Sequence, residues 1–203
     1  MFAKRPFLPL SGLLLSSLAW GQGALLAYGP VDSAVQATPR LVEFYNAAQD
    51  HYFITVAPDE IADLDAGVHP GWERTGLAFN AQAPDPGGAS AVCRFYIPPT
   101  LGDSHFYSAS AEECSRTRQR FPDFVLESAA AFHVDLPDTA DGACPAGTTP
   151  VYRLWDGRAD TNHRYTTDPL TAQHMRALGW VAEGYGDPPV GMCAPSTTVD
   201  SLA

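Results

Sequence analysis

Short stretches in which apolar and aromatic residues alternate with polar ones recur in pairs along the chain. Each pair is followed by a polar stretch and a further apolar segment. The first group runs Leu41-Val42-Glu43-Phe44-Tyr45-Asn46, Asp50-His51-Tyr52-Phe53-Ile54-Thr55, a polar stretch from Pro58 to Ala66, and Trp72 to Phe79. The second runs Cys93-Arg94-Phe95-Tyr96, Ser104-His105-Phe106-Tyr107-Ser108, a polar stretch from Ser110 to Arg120, and Phe124 to Phe132. The third runs Val151-Tyr152-Arg153-Leu154-Trp155, Asn162-His163-Arg164-Tyr165-Thr166-Thr167, a stretch from Pro169 to Leu178, and Trp180 to Tyr185. Alternation with aromatic and β-branched residues predicts strands, so each group reads strand, strand, helix, strand. Three such groups are three copies of one unit.

Helix starts and stops sharpen the middle of each unit. Pro58 and Pro169 suit a first helical turn, Asp168 or Thr167 can cap, and Ser110 with Glu113 makes a capping box. Gly67 and Gly179 suit helix exits. The expected fold class is α+β: three strand-strand-helix-strand repeats (41–82, 91–136 and 149–193) in one compact, disulfide-stapled domain over 41–196. A pseudo-threefold arrangement is one way to close them. Pro and Gly concentrate in the crossings at 83–90 and 136–150.

The ends carry a different signal. Met1 to Arg5 followed by an apolar run from Phe7 to Trp20 reads as a signal peptide over 1–21, with cleavage between 21 and 27. Residues 22–40 read as a linker and 197–203 as a tail. The run is shorter than a spanning helix needs, and no membrane span is expected once the leader is removed. Localisation is then secreted, extracellular or periplasmic. In such a compartment Cys93, Cys114, Cys144 and Cys193 favour two disulfides over zinc or free thiols. Three connectivities are open; the element map favours Cys93 with Cys114, because strand and helix must pack, and leaves Cys144 with Cys193.

Charge narrows the partners. Twelve Lys plus Arg face 23 Asp plus Glu, a formal net charge of -11, so nucleic acid and anionic membranes are poor partners. Lys4 is the single lysine and lies in the leader, which leaves no Schiff-base or P-loop lysine.

The combination of a Phe-Tyr strand, a His-Phe-Tyr-Thr-like strand, a helix and a Trp-x-x-Glu-Gly strand resembles a family of bacterial secreted repeats catalogued as a domain of unknown function (family 5648). The stretch from Cys144-Pro145-Ala146-Gly147 to Met192-Cys193-Ala194-Pro195 is especially similar to it, and the resemblance covers about 41–196. It implies an exported, non-catalytic module, often appended to other extracellular domains, and assigns no active-site residues. Thr75 stands where the pattern has Glu, and Ser128 where it has Gly.

Candidate chemistry rests on two sets. His51, His105 and His163 occur once per unit, each followed two residues later by an aromatic that shares its strand face; inward-facing, they would converge, although packing inside each unit is the simpler expectation. Tyr45, Tyr96, Trp155 and Tyr185 can stack on sugar faces, with Asp156 and Asn162 to bond hydroxyls. No HExxH, GxSxG or CxxC is present, an EF-hand from Asp63 fails at Val68 and Arg74, and no cofactor or metal is expected. The expected function is a non-catalytic binding module for carbohydrate or another surface ligand. Alternatives are a glycan-directed hydrolase using Glu127 or Glu183, and a purely structural or protein-interaction module. The sequence leaves oligomeric state open.

Overall fold

The computed structural model describes residues 38–83 and 88–196 of the 203-residue chain. The expected leader, the linker up to residue 37 and the tail 197–203 lie outside them. The described elements are β1 (Arg40–Asn46), β2 (His51–Thr55), α1 (Pro58–Asp65), β3 (Trp72–Asn80), β4 (Ser90–Ile97), β5 (Ser104–Ser108), α2 (Ala111–Arg120), β6 (Val125–Val134), β7 (Thr148–Trp155), β8 (His163–Thr166), α3 (Pro169–Ala177), β9 (Val181–Glu183) and β10 (Met192–Pro195). They form a mixed α+β domain of three antiparallel sheets. β1 lies between β2 and β3, β4 between β5 and β6, and β7 pairs with β8, β9 and β10.

The third sheet departs from the expected single closing strand. β3 and β6 run the length of β1 and β4, each with a register shift partway, at Val42/Phe44 and at Val92/Arg94. In the third sheet β9 pairs with Arg153–Trp155, β10 pairs with Thr148–Val151, and residues 184–191 loop out between them. A position that holds a bulge in two sheets holds a loop in the third. Gly184, at φ +141°, lets that loop leave β9; a Cβ there would lie 2.3 Å from the Val190 carbonyl oxygen.

Alternation along the strands builds a shared interior. Leu41 and Ile54 from the first sheet, Val92, Tyr107 and Phe132 from the second, and Val151, Tyr165 and Met192 from the third form one buried cluster. The short strands β2, β5 and β8 all touch one another there. Buried hydroxyls are satisfied across sheets: the Tyr107 hydroxyl donates to the Ile54 carbonyl (2.6 Å), and the Tyr165 hydroxyl donates to the Tyr107 carbonyl (3.0 Å). Smaller clusters lie under the helices, with Phe95, Ile97 and Phe106 near Cys114, and Leu154 with Ala172 and Met175.

Helix starts follow the sequence with one change. Asp168 accepts from the Leu170 and Thr171 amides at 3.0 and 3.2 Å, and Ser110 accepts from the Glu113 amide at 3.2 Å. Glu113 does not close the box by reaching back to the Ser110 amide. Its carboxylate instead takes the Ser108 hydroxyl (2.5 Å) and the Arg153 guanidinium. Cys93 is bonded to Cys114 and Cys144 to Cys193. Among the described residues no helix is long and apolar enough to cross a membrane.

Candidate functional site

Two charged clusters are assembled in the same way where one sheet meets the next. Arg94, at the centre of β4, donates to both carboxylate oxygens of Glu60 on α1 (2.9 and 2.7 Å), and its Nε lies 2.8 Å from Glu127 on β6. Arg153, at the centre of β7, donates to both oxygens of Glu113 on α2 (2.8 Å each), and its Nε lies 2.9 Å from Glu183 on β9. The two Nε contacts are close ion contacts off the N–H direction, whereas the forked bonds are aligned. A histidine completes each cluster: His105 lies 3.2 Å from Glu127 and His163 3.4 Å from Glu183. Each guanidinium also sits over a ring of the preceding sheet, Arg94 over Phe53 and Arg153 over Phe106.

Where the third sheet meets the first, the charges are reversed. The position of Arg94 and Arg153 is Glu43 on β1, and the position of Phe53 and Phe106 is Arg164 on β8. Arg164 donates to both oxygens of Glu43 at 3.0 and 2.8 Å and covers the Tyr52 ring at 4.0 Å. Both side chains are at most 10% exposed. The Thr75 that replaces Glu in the first unit is thereby explained: with an acid at 43, a second acid opposite it would be repelled.

Burial pushes the four cluster glutamates up, but the surrounding donors outweigh it. Arg94 and Thr55 hold Glu60 below the ordinary glutamate value of 4.5, Arg153 does so for Glu113, His105 for Glu127, and His163 with Arg153 for Glu183. Groups lowered on folding add stability that is complete above their unfolded-state values and lost as pH falls through the folded-state ones. Thermal melts should hold a steady Tm from neutrality to about pH 5 and fall steeply below about pH 4. A Tm that climbs on acidification through that window would contradict the arrangement.

The second cluster opens to solvent. A cleft of about 870 Å³ is lined by the partly exposed Glu113 and Glu183, with the mostly buried Arg153 and His163 behind them, and by Trp155, Tyr185, Phe121, Phe124, Arg116, Arg120 and Arg158. Tyr185 comes from the looped-out 184–191 segment, and Phe121 and Phe124, stacked at 4.8 Å, from the exit of α2. Tyr185 is 39% exposed and Phe121 41%. Apolar faces beside fixed carboxylates and guanidinium donors are the make-up of a small-molecule site.

A family model described as "Domain of unknown function (DUF5648)" matches residues 17–134 and, in a second overlapping alignment, residues 41–187. The chain belongs to this family. Neither the curated proteins nor the solved structures contain a match. The DUF5648 description carries no activity, so the roles of individual residues rest on their surroundings.

Those surroundings separate the expected binding residues of this DUF5648 chain into three groups. Tyr45, Tyr96 and Trp155 share one register position and each ties down its own hairpin turn, through Asp50 (2.9 Å), Asp103 (2.7 Å) and Thr161 (2.6 Å). The Asp103 bond, with burial, pushes the Tyr96 hydroxyl up to about 12. Of these three only Trp155 lines the cleft, together with Tyr185 and His163. Asn162 is fully buried and joins sheets, accepting from the Tyr52 amide (2.8 Å) and donating to its carbonyl (3.1 Å).

The three histidines do not share one position. His105 and His163 pair across their hairpins with Tyr96 and Trp155, but the partner of Tyr45 is Tyr52, and His51 pairs with Asn46. One residue along a strand is the opposite face, so His51 is directed away from the clusters, toward Asp156 and Asp160 of the third sheet. Sequence reading missed Glu113, Arg153, Phe121 and Phe124 as cleft residues. The matched positions of Arg94 and Arg153 were the available signal.

Proposed function

We propose that the chain is an exported, non-catalytic binding module of three strand-strand-helix-strand units closed around a pseudo-threefold axis, and that its cleft takes carbohydrate. The cleft carries the reading: Trp155 and Tyr185 offer ring faces on which a sugar stacks, while Glu113, Glu183 and Arg153 accept from and donate to its hydroxyls. The repeated element order, the mutual contact of β2, β5 and β8, and the two overlapping family matches support the threefold closure. The signal-like leader and two disulfides support export.

A hydrolase acting through Glu127 or Glu183 is the weaker reading. A glycosidase needs one carboxyl raised so that it is a proton donor at working pH, and both are lowered here. A glycan array and a peptidoglycan pull-down with the folded, disulfide-intact protein test the proposal. Saturable binding is expected, reduced at least tenfold in Tyr185→Ala with Tm unchanged, since that ring is exposed. Absence of saturable binding, or binding indifferent to Tyr185→Ala, would overturn it.

A further inference from the structure

On the opposite face of the hairpins from the cleft's histidine, a buried imidazole meets two carboxylates from a loop over a hundred residues away. The His51 side chain is 2% exposed, and neither ring nitrogen has a hydrogen-bond partner. Its Nε2 lies 3.6 Å from Asp160 Oδ2. The Asp156 side chain is fully buried, and its Oδ2 has no aligned hydrogen bond, only an ion contact with Arg158 Nε at 3.1 Å. One ligand atom from each of His51, Asp156 and Asp160 lies within 4.8 Å of the others. A buried imidazole with neither nitrogen hydrogen-bonded is costly unless something binds it, and the carboxylate oxygen beside it is held only by a misaligned ion contact.

We infer that His51, Asp156 and Asp160 form a divalent-cation site that links the first hairpin to the loop after β7. Charge balance favours an ion of two positive charges: Asp50, Asp156 and Asp160 supply three formal negative charges and Arg158 one positive, leaving two uncompensated. The donor set favours zinc or a similar first-row ion, because calcium and magnesium take oxygen ligands whereas a nitrogen with two carboxylates suits the transition series. Ligand atoms of a tetrahedral zinc stand about 3.3 Å apart, so the trio, within 4.8 Å, needs to close by up to about 1.5 Å. Three protein ligands leave a fourth position open.

The surrounding loops are built to hold this geometry. Asp156 Oδ1 is fixed by the Arg158 amide (3.1 Å), and the Arg158 guanidinium contacts Asp160, Asp156 Oδ2 (3.1 Å) and Asp50 (2.5 Å). Gly102 packs directly on the Asp160 backbone, where a Cβ would stand 2.8 Å from its carbonyl, and the Ser104 hydroxyl donates to the Thr161 carbonyl. Arg158, about one-third exposed, is the positive charge with which an incoming cation shares these carboxylates. The donors lie in segments far apart in sequence, which is why no metal spacing marks them.

The test uses EDTA-stripped, folded protein and zinc ion alone, followed by equilibrium dialysis with metal analysis and by thermal melts. One zinc per chain is expected, with a Tm rise of roughly 5–10 °C at a hundredfold excess over Kd and no competition from millimolar calcium or magnesium. Asp160→Asn, at a half-exposed side chain that the fold does not need, should keep the metal-free Tm and lose at least tenfold in affinity; His51→Gln should lose the site. Arg158→Gln should tighten binding several-fold by removing the competing charge. No saturable zinc, or affinity unchanged in both Asp160→Asn and His51→Gln, would overturn the site.

Discussion

Replacing Arg164 by methionine is expected to lower the unfolding free energy by about 3–5 kcal/mol, because it strands a buried carboxylate. Glu43 is 2% exposed and takes both its strong donors from that guanidinium. Water cannot replace them, and the Tyr52 ring and Met175 sulfur around Arg164 offer no charge. Removing both partners, as Glu43→Leu with Arg164→Met, should recover most of the loss, since two apolar side chains of similar size need no solvation. The comparable Arg74–Asp65 pair lies at the surface, where its loss should matter little. Urea denaturation of the three variants checks this. An Arg164→Met protein within about 1 kcal/mol of the parent would mean that the third sheet does not close on the first through this pair.

Loss of the Cys144–Cys193 disulfide should cost about 4 kcal/mol, the larger of the two bridges because it closes 49 residues against 21. The bridge anchors β10, which supplies Met192 and Ala194 to the shared core and exchanges backbone bonds with Asp135 at 2.9 Å in each direction. Without it this four-residue strand keeps only its short pairing with β7, the Asp135 bonds and the burial of Met192 and Ala194 in the core. A Cys144→Ala, Cys193→Ala protein should melt roughly 8–15 °C lower, and the Cys93→Ala, Cys114→Ala protein should fall somewhat less. A melt within 3 °C of the parent for the first variant would contradict the role given to β10.

Most of the scaffold was legible because its signals are local. Pro58, Pro169, Ser110 and Asp168 mark helix starts within one residue of where they lie, and alternation finds nine of the ten strands. β10 escaped because Met192 to Pro195 is short, contains a proline and has no alternation of its own; its strand character comes from pairing with β7. The histidine set was misread by one position. Matching residue types aligned His51 with His105 and His163, whereas pairing across the hairpin aligns Tyr52 with them, and only register decides which face a side chain takes. The cleft was half legible for a related reason. Trp155 and Tyr185 declare themselves as aromatics, but Glu113 looks like a helix cap and Arg153 like a solvated strand residue until α2 is laid against the third sheet.

Departures in the first and third groups meet at one place in the fold. Glu43 in place of an arginine, Thr75 in place of a glutamate and Arg164 in place of a phenylalanine are separate oddities in the sequence. In space Glu43 and Arg164 form one ion pair with the charges exchanged, and Thr75 lies beside Glu43. That exchange removes the Arg–Glu–His arrangement from the third meeting point, and of the two that keep it the cleft lies at the Arg153 one.

The most direct test of the binding proposal is a nitrogen-15 NMR titration of the folded protein with the best ligand from the glycan array. Shifts are predicted at the Trp155 indole N–H, the amides of 184–191 and the α2 exit at 121–124, with the turns held by Tyr45 and Tyr96 unmoved. Shifts centred on those two turns, or none at saturating ligand, would contradict the assignment of the cleft as the binding site.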